Sequence, residues 1–179
     1  MTDSVSHIRV RPAHAADRPA IEHLHRASVR GLIVSYYSPA QVESFLAGGT
    51  LDRGLIEAGT YYVAELGETL VGSGGWMPVE QGPDGPWRAR IRAVFVHPEW
   101  TRRGIGRRLV THAETAAARA GFTTFELDAT LPGVPLYQSL GYRAVARSGH
   151  PTPDGTILPV VRMEKVHRDD VVRMSARSR

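Results

Sequence analysis

The chain has 179 residues, of which 42% are hydrophobic and 22% are charged, the composition of an ordinary globular protein. Its formal net charge is +4, and the complete lack of cysteine excludes disulfides, thiolate zinc sites and a cysteine nucleophile. No stretch approaches the roughly 18 apolar residues of a membrane helix, and the N-terminus has no apolar signal core. We therefore expect a cytoplasmic protein without a membrane partner.

The first part of the chain predicts helices followed by a hairpin. Ser38 before Pro39 is a strong helix-start signal, because serine caps the first turn and proline fits there. Alternation of apolar and polar residues marks the strands, and Gly67 lies where the hairpin turns. In chain order, the predictions are a strand at His7–Arg11, a helix from Ala15, a helix from Pro39 closed by Gly48 and Gly49, a short helical turn at Asp52–Ala58, and strands at Thr60–Glu65 and Leu70–Met77.

The most informative stretch is Ile91–Gly121, where an apolar run meets a basic, glycine-containing turn and then a helix. The run ends at His97, and apolar residues recur at helical spacing from Ile105 onward. A helix N-terminus leaves backbone N–H groups unpaired and carries about half a positive charge. Because Gly104 and Gly106 have no side chains, a diphosphate can approach this backbone closely. The stretch therefore predicts an anion-binding loop.

Downstream of that helix, the sequence predicts strands around one short helix. Phe122–Ala129 alternates apolar and polar residues, as a strand does. After a turn that contains proline and glycine, Pro135–Tyr142 has the pattern of a short amphipathic helix. Two further strands are predicted at Tyr142–Arg147 and Ile157–Lys165, and the basic tail from 167 to 179 is expected to be disordered.

The anion-binding loop differs from two common phosphate-binding motifs. The chain lacks the Gly-x-x-x-x-Gly-Lys-Ser/Thr run of a Walker loop, and it has Leu109 where a dinucleotide fingerprint needs its third glycine. Gly104 and Gly106, flanked by arginines, resemble the pyrophosphate-binding loop of the GCN5-related N-acetyltransferase (GNAT) superfamily. That family usually begins the loop with Gln or Arg followed by Gly, where this chain has Thr101 and Arg102.

A second segment resembles the same family. Leu136 and Tyr137, followed by Gly141, match a short GNAT helix whose tyrosine lies beside the coenzyme A sulfur. The resemblance implies that Tyr137 is the general acid of catalysis. An asparagine often precedes this tyrosine by seven residues and an alanine by four, and here those positions are Thr130 and Gly133.

The GNAT resemblance implies an α/β (α+β) fold over residues 1–166. Its mixed, mostly antiparallel central sheet of about six to seven strands is flanked by helices, and its fourth and fifth strands splay apart. The gap between these strands admits the pantetheine arm of acetyl-coenzyme A (acetyl-CoA), which is the acyl-donor cosubstrate, and no metal ion is implied. The residues that the resemblance assigns to cofactor binding are Val94, Phe95, Val96, Arg102, Arg103, Gly104, Ile105, Gly106, Arg107 and Thr130.

The sequence assigns neither the general base nor the acceptor pocket. The glutamate that some family members carry on the fourth strand corresponds to Arg90, so that assignment fails. The other candidates for the base are Glu80, His97, Glu126 and Asp128, and a proton path through water is the alternative. The candidates for the pocket, which could equally be packing residues, are Tyr36, Tyr37, Trp76, Glu80 and Trp87.

These features together predict an enzyme, an N-acetyltransferase that moves the acetyl group from acetyl-CoA directly to a primary amine of a small molecule or peptide. Retention of Tyr137 favours the enzyme over a non-catalytic acyl-CoA-binding sensor of the same fold. A nucleic-acid-binding protein that uses the loop arginines is a third alternative, but the basic tail carries no aromatic residues. A homodimer is left open.

Overall fold

A computed structural model of the chain describes residues 8–49, 51, 53–79 and 87–167. The strands are β1 Arg9–Pro12, β2 Tyr61–Leu66, β3 Thr69–Pro78, β4 Arg88–Val96, β5 Thr124–Thr130, β6 Arg143–Pro151 and β7 Ile157–Val166. The helices are α1 Arg18–Leu32, α2 Pro39–Ala47, α3 Arg53–Glu57, α4 Ile105–Arg119 and α5 Val134–Ser139, with short 3-10 turns at Ala15–Asp17, Pro98–Trp100 and Leu131–Gly133. No helix in this described part is long and apolar enough to cross a membrane.

The strands form one seven-stranded sheet in the order β1-β2-β3-β4-β5-β7-β6. Within the described residues every neighbouring pair is antiparallel except β4 and β5, which run parallel. Their pairing is short, beginning at Arg88 opposite Thr124 and ending at Arg90 opposite Glu126. Beyond this point the two strands separate. The predicted mixed, mostly antiparallel sheet with splayed fourth and fifth strands is therefore confirmed.

Helices cover both faces of the sheet, as the packing of β2 demonstrates. Tyr61 and Val63 pack with Ile21 on the face covered by α1. Tyr62 and Ala64 belong to the larger core that α4 covers. Because successive side chains of a strand point to opposite faces, a strand buried on both faces needs a continuous apolar run. The two cores hold the central strands between them, and β4 is one of these.

Two helices begin where their sequences place a specific start signal. Before α2, the Ser38 hydroxyl accepts a hydrogen bond from the Gln41 N–H at 3.2 Å, and the Gln41 side chain accepts one from the Ser38 N–H at 3.1 Å. This reciprocal arrangement satisfies two N–H groups of the first turn. Helix α4 begins after Gly104, whose φ of 77° lies in the left-handed region that glycine adopts without strain.

The observed strand ends differ from the predicted ones. Phe122 lies before β5, because its N–H donates to the Ala117 carbonyl at 3.1 Å and so closes the end of α4. Strand β6 continues beyond Arg147 to Pro151, because it stays paired with β7 throughout that length. His7, the first residue of the first predicted strand, lies outside the described residues, as do residues 168–179. The domain limit at residue 166 and the disordered tail therefore stay predictions.

Candidate active site

A cleft of about 1150 Å³ opens where β4 and β5 separate. Its walls come from β4, β5, the turn before α4, the first turn of α4, and α5. Tyr137 lines it, and so does every predicted cofactor-binding residue except Arg103: Val94, Phe95, Val96, Arg102, Gly104, Ile105, Gly106, Arg107 and Thr130. The fold thus brings the predicted strand, loop and tyrosine together around one cavity.

The backbone of β4 is irregular along this cleft. Its register with β3 shifts between Ser73 and Gly75, so that Ala93 and Val94 together oppose a single β3 residue. Such an extra residue is a β-bulge. Ala93 has a φ of 51°, in the left-handed region that non-glycine residues rarely adopt. The bulge therefore changes the direction of the backbone at the cleft wall.

The backbone groups of Val94 and Val96 face the gap between β4 and β5. The His97 N–H donates to the Val71 carbonyl at 3.0 Å, so the His97 backbone faces β3. Because backbone groups of consecutive residues in an antiparallel pair point to alternate sides, Phe95 also faces β3, whereas Val96 faces β5. Val94 lies in the bulge, and its N–H points away from the Ala93 carbonyl, which accepts a hydrogen bond from Tyr61 on the β3 side of β4. Strand β5 no longer pairs with β4 at this level. These backbone groups are therefore directed into the cleft.

The turn between β4 and α4 has a backbone suited to an anion. Arg102 has a φ of 61° and Gly104 a φ of 77°, both in the left-handed region. A Cβ atom added to Gly104 would meet no atom within 4 Å, so the space beside this residue is open. A Cβ atom added to Gly106 would lie 3.0 Å from Leu136 Cδ2, so Gly106 also permits the approach of α5. The N–H groups that begin α4 therefore stand beside an open space.

The arginines of this turn have different surroundings. Arg103 places its guanidinium 4.5 Å from the centre of the Trp100 ring, and it does not line the cleft. Arg107 donates to Ser139 Oγ at 3.1 Å and so connects α4 to the end of α5. Arg102 lies in the cleft wall. We name this part of the cleft, from Arg102 to Arg107, the turn end.

Tyr137 is 9% exposed and lies in the cleft wall on α5. Burial raises the pKa of its phenol above the usual value, so the hydroxyl keeps its proton at neutral pH. In the described part of the structure this hydroxyl has no hydrogen-bond partner, and the ring packs edge-on against Tyr142 at 5.8 Å. A Cβ atom at Gly133 would lie 3.3 Å from the Tyr137 ring and 3.4 Å from Thr130 Oγ1, so this glycine lets the two side chains lie together.

The acidic candidates for the base have different partners. Asp128 lines the cleft, and its carboxylate accepts hydrogen bonds from the Arg162 guanidinium at 2.7 and 3.2 Å. Glu126 is buried and forms an ion pair with Arg90, whose Nε donates to it at 2.8 Å. The residue that replaces the expected strand glutamate thus neutralises a glutamate of the next strand. His97 does not line the cleft, so Asp128 is the base candidate that faces it within the described residues.

The opposite part of the cleft is lined by side chains from the end of α1, α2 and the β6–β7 hairpin, and we name it the hairpin end. Its lining includes Tyr36, Phe45, Leu51 and His150. The rings of Phe45 and His150 meet edge to face at 5.8 Å. Tyr36 was a predicted pocket residue, whereas the other three were not. Nothing in the sequence around them indicates that α2 and the hairpin would meet.

The other predicted pocket residues do not line this cleft or lie outside the described residues. The Tyr37 hydroxyl donates to the Pro159 carbonyl at 2.8 Å, and Trp76 is buried in the core. Both are therefore packing residues and do not form part of the pocket. Trp87 is exposed and does not line the cleft, and Glu80 lies outside the described residues.

Hydrogen bonds tie the hairpin to α2. The Ser44 hydroxyl donates to the Asp154 carboxylate at 2.5 Å, and Gln41 Nε2 donates to the Ile157 carbonyl at 3.0 Å. Asp154 also accepts a hydrogen bond from the Thr152 hydroxyl at 2.7 Å. These donors hold the pKa of Asp154 well below its usual value. Hydrogen bonds from Ser44 and Gln41 of α2 therefore hold the hairpin at two points, Asp154 and Ile157.

The sequence of this chain matches a protein-family model. The model of the acetyltransferase (GNAT) family matches residues 26–142, which is more than half of the sequence. The chain belongs to the GNAT acetyltransferase family. The matched range runs from within α1 to Tyr142, three residues beyond α5, and contains β4, the turn and Tyr137. A search of curated proteins gave no match.

Solved GNAT structures share the fold over nearly the whole chain. A GCN5-related N-acetyltransferase from Rhodopseudomonas palustris is 23% identical with a TM-score of 0.72, covering 88% of this chain and 94% of that one. The PaiA N-acetyltransferase from Thermoplasma acidophilum, in complex with coenzyme A, is 19% identical with a TM-score of 0.69, covering 89% and 99%. The yncA protein from Salmonella typhimurium, with its cofactor acetyl-CoA, is 20% identical with a TM-score of 0.64, covering 89% and 93%. At such identities the likeness is one of fold.

One feature of this GNAT turn departs from the pattern of the superfamily. The position that usually carries glycine is Arg102, and its φ of 61° is a conformation that glycine adopts freely and a side chain does not. The chain therefore holds a residue with a side chain in the left-handed conformation at a position that lines the cleft.

Proposed function

We propose that this GNAT protein transfers the acetyl group of acetyl-CoA directly to a primary amine of a small molecule or peptide. The observation that carries the proposal is the gap between β4 and β5, where Val94 and Tyr137 line one cavity. Two GNAT structures of similar fold contain coenzyme A or acetyl-CoA, and this supports the choice of acyl donor. A cytoplasmic location is part of the proposal, because acetyl-CoA is found there.

The turn end fits the diphosphate of the cofactor. The open space beside Gly104 allows a phosphate to approach the first N–H groups of α4, which favour negative charge. Arg102 and Arg107 line the same space and would add charge-assisted contacts. Arg103 lies against Trp100 and would act from outside the cleft. The edge of β4 from Val94 to Val96 would accept the pantetheine arm as a neighbouring strand accepts a partner.

The chemistry of transfer needs a donor for the carbonyl oxygen and a proton for the leaving thiolate. The Val94 N–H faces the gap and would stabilise negative charge that develops on the oxygen, a contribution worth about 3–4 kcal/mol at comparable sites. The Tyr137 phenol, kept protonated by burial, would donate its proton to the sulfur. Holding amine and thioester in one cavity supplies much of the remaining acceleration.

The acceptor would enter from the hairpin end. Tyr36 and Phe45 offer aromatic surface there, and Asp128, whose carboxylate is paired with Arg162, lines the same cleft. Because Arg162 already pairs with this carboxylate, the proton of the acceptor amine would leave through water. We assign no residue as the general base.

The experiment that tests this proposal measures free coenzyme A release with purified protein, acetyl-CoA and a panel of amines. The panel contains polyamines, arylalkylamines, amino acids and peptides with free N-termini. We expect acetyl-CoA to raise the melting temperature, since it binds only the folded state, and at least one amine to give turnover. Binding of acetyl-CoA without turnover on any amine would favour the sensor. Absence of binding would remove the proposed site.

A further inference from the structure

A buried polar cluster lies directly behind the β4 bulge. It consists of His25 from α1, Tyr61 from β2 and Ser73 from β3, and each is 0% exposed. The Tyr61 hydroxyl lies 3.0 Å from Ser73 Oγ, and His25 Nε2 lies 3.0 Å from the Tyr61 oxygen and 2.9 Å from Ser73 Oγ. None of the three lines the cleft. The cluster therefore does not touch a ligand bound there.

The cluster contacts β4 at Ala93 and at Phe95, on either side of Val94. The Tyr61 hydroxyl donates to the Ala93 carbonyl at 2.9 Å. The His25 ring stacks on Phe95, with 4.0 Å between the ring centres and 30° between the planes. Ala93, whose carbonyl accepts this hydrogen bond, has a φ of 51°, which is unfavourable for a residue with a side chain. Such a conformation persists only where its surroundings hold it.

The number of donor protons in the cluster explains why it has three members. A tyrosine hydroxyl has one proton, so when Tyr61 donates to Ala93 its oxygen must accept a proton from Ser73 or His25. Burial lowers the pKa of His25 to about 3, so the ring is neutral at physiological pH. The tautomer with its proton on Nε2 completes the set, because it donates to the two hydroxyls instead of accepting their protons. The serine and the histidine thus direct the only proton of Tyr61 toward β4.

The direction of the Ala93 carbonyl fixes a group on the other side of the strand. This carbonyl and the Val94 N–H belong to the same planar trans peptide unit, in which they point in opposite directions. A hydrogen bond that holds the carbonyl toward Tyr61 therefore holds the Val94 N–H away from Tyr61. Because Tyr61 belongs to β2, on the β3 side of β4, this direction is toward the gap between β4 and β5.

We propose that His25, Tyr61 and Ser73 are positioning residues, which hold the Ala93–Val94 peptide so that the Val94 N–H meets the acyl oxygen of the donor. The inference rests on the proposed function, because it concerns the transfer step of that site. A cluster that served stability alone would affect the folded fraction and leave each folded molecule fully active.

The first test compares Tyr61→Phe with Tyr62→Phe. Both remove one hydroxyl from β2, but Tyr62 faces the opposite side of the sheet, where its ring packs against His112 at 4.5 Å. For Tyr61→Phe we expect the single-turnover rate per folded site to fall about tenfold to a hundredfold, as misplaced groups or a lost oxyanion donor do. Affinity for coenzyme A without an acyl group should stay within about twofold of wild type. Tyr62→Phe should change neither quantity.

A second readout does not depend on an acceptor. Hydrogen exchange at the Val94 amide should be slower with acetyl-CoA than with coenzyme A in the wild type, because only the acyl oxygen can accept from this N–H. In Tyr61→Phe this difference should disappear. Adding Ala93→Gly to Tyr61→Phe should restore part of the rate and of the difference, since glycine adopts the left-handed conformation without help.

Three results would overturn the inference. These are a wild-type single-turnover rate in Tyr61→Phe, an equal loss in Tyr62→Phe, or a rate loss matched by an equal loss of coenzyme A affinity. If Tyr61→Phe does not fold, Ser73→Ala takes its place, and its Val94 exchange and rate are judged in the same way. A wild type that acetylates no amine contradicts the proposed function, while the exchange measurement still decides this inference.

Discussion

The turn end of the cleft is built mainly from backbone groups of one continuous segment, whereas the hairpin end is built from side chains that three separate elements bring together. At the turn end, Gly104 and the first residues of α4 present N–H groups whose direction follows from local conformation. At the hairpin end, Tyr36, Phe45 and His150 meet only because α2 and the hairpin dock. The difference teaches that the proposed donor site is specified locally, while the proposed acceptor site is a product of tertiary structure.

The largest expected effect lies between the two ends, at Tyr137. Tyr137→Phe keeps the ring and its packing and removes only the proton that the thiolate would take. We expect the single-turnover rate to fall by about 10²–10⁴-fold, the range typical of general acid catalysis, with unchanged coenzyme A affinity. Rapid-quench measurement with saturating acetyl-CoA checks this. An unchanged rate would make Tyr137 a packing residue that belongs to neither end.

A glycine substitution tests whether the turn end binds through its backbone. Gly104→Val places a branched side chain in the open space and in a left-handed conformation, and we expect coenzyme A affinity to fall about a hundredfold or more, as a blocked site would (about 2.7 kcal/mol). The matched control is Gly121→Val at the other end of α4, where φ is 94° and a Cβ atom also meets nothing within 4 Å. Calorimetry should show normal affinity for the control although both variants lose stability. Equal weakening in both would mean that strain, rather than the phosphate site, is responsible.

A substitution at the hairpin end should weaken use of the acceptor and leave coenzyme A affinity unchanged, the reverse of the effect expected at the turn end. Tyr36 is 54% exposed and lines the cleft, so Tyr36→Ala should remove acceptor contact at little cost in stability. We expect kcat/KM for the acceptor to fall about fivefold, equivalent to roughly 1 kcal/mol, with unchanged coenzyme A affinity. Val34→Ala is the control, because Val34 is similarly exposed at 51% and does not line the cleft. A change in coenzyme A affinity for Tyr36→Ala would show that the two ends are not separate.

The smallest expected effect concerns Arg102. Arg102→Gly relieves about 1–2 kcal/mol of left-handed strain, partly offset by the greater unfolded-state freedom of glycine, so unfolding stability should rise by about 0.5–1 kcal/mol. Coenzyme A affinity should fall several-fold at low salt and approach wild type at high salt, because a surface charge is lost. Arg102→Ala loses the same charge and keeps the strain. Denaturant unfolding and calorimetry at two salt concentrations separate the two effects, and equal stability of the two variants would contradict the strain.

The features that the sequence predicts best are those encoded in neighbouring residues. The glycines of the turn and the helical spacing after Ile105 lie within one segment, so strand, turn and helix could be placed without any knowledge of the sheet. The role of Gly106 in admitting Leu136 could not, because it depends on where α5 packs. The likeness of the Tyr137 segment to a known helix located the proposed acid in the same way.

Residues whose surroundings depend on distant elements were not predictable. Tyr36 and Tyr37 are adjacent beyond the end of α1, yet one lines the cleft and the other donates to Pro159, and no periodicity separates them. The pairing of Arg90 with Glu126 follows from the parallel register of β4 and β5, which the sequence does not reveal. The cluster around Tyr61 gave no signal either, since its members are far apart in the chain.

The hydrogen bonds that tie the hairpin to α2 have a consequence for how an acceptor is recognised. Ser44 and Gln41 fix the hairpin through Asp154 and Ile157 before any acceptor arrives. Ordering a flexible loop at the moment of binding lowers affinity, because each immobilised side chain and peptide loses conformational freedom. Here that freedom is already lost when the chain folds. An acceptor of the proposed reaction would therefore meet a preorganised wall, and selectivity among amines would come from the shape of that wall rather than from how readily it can be rearranged.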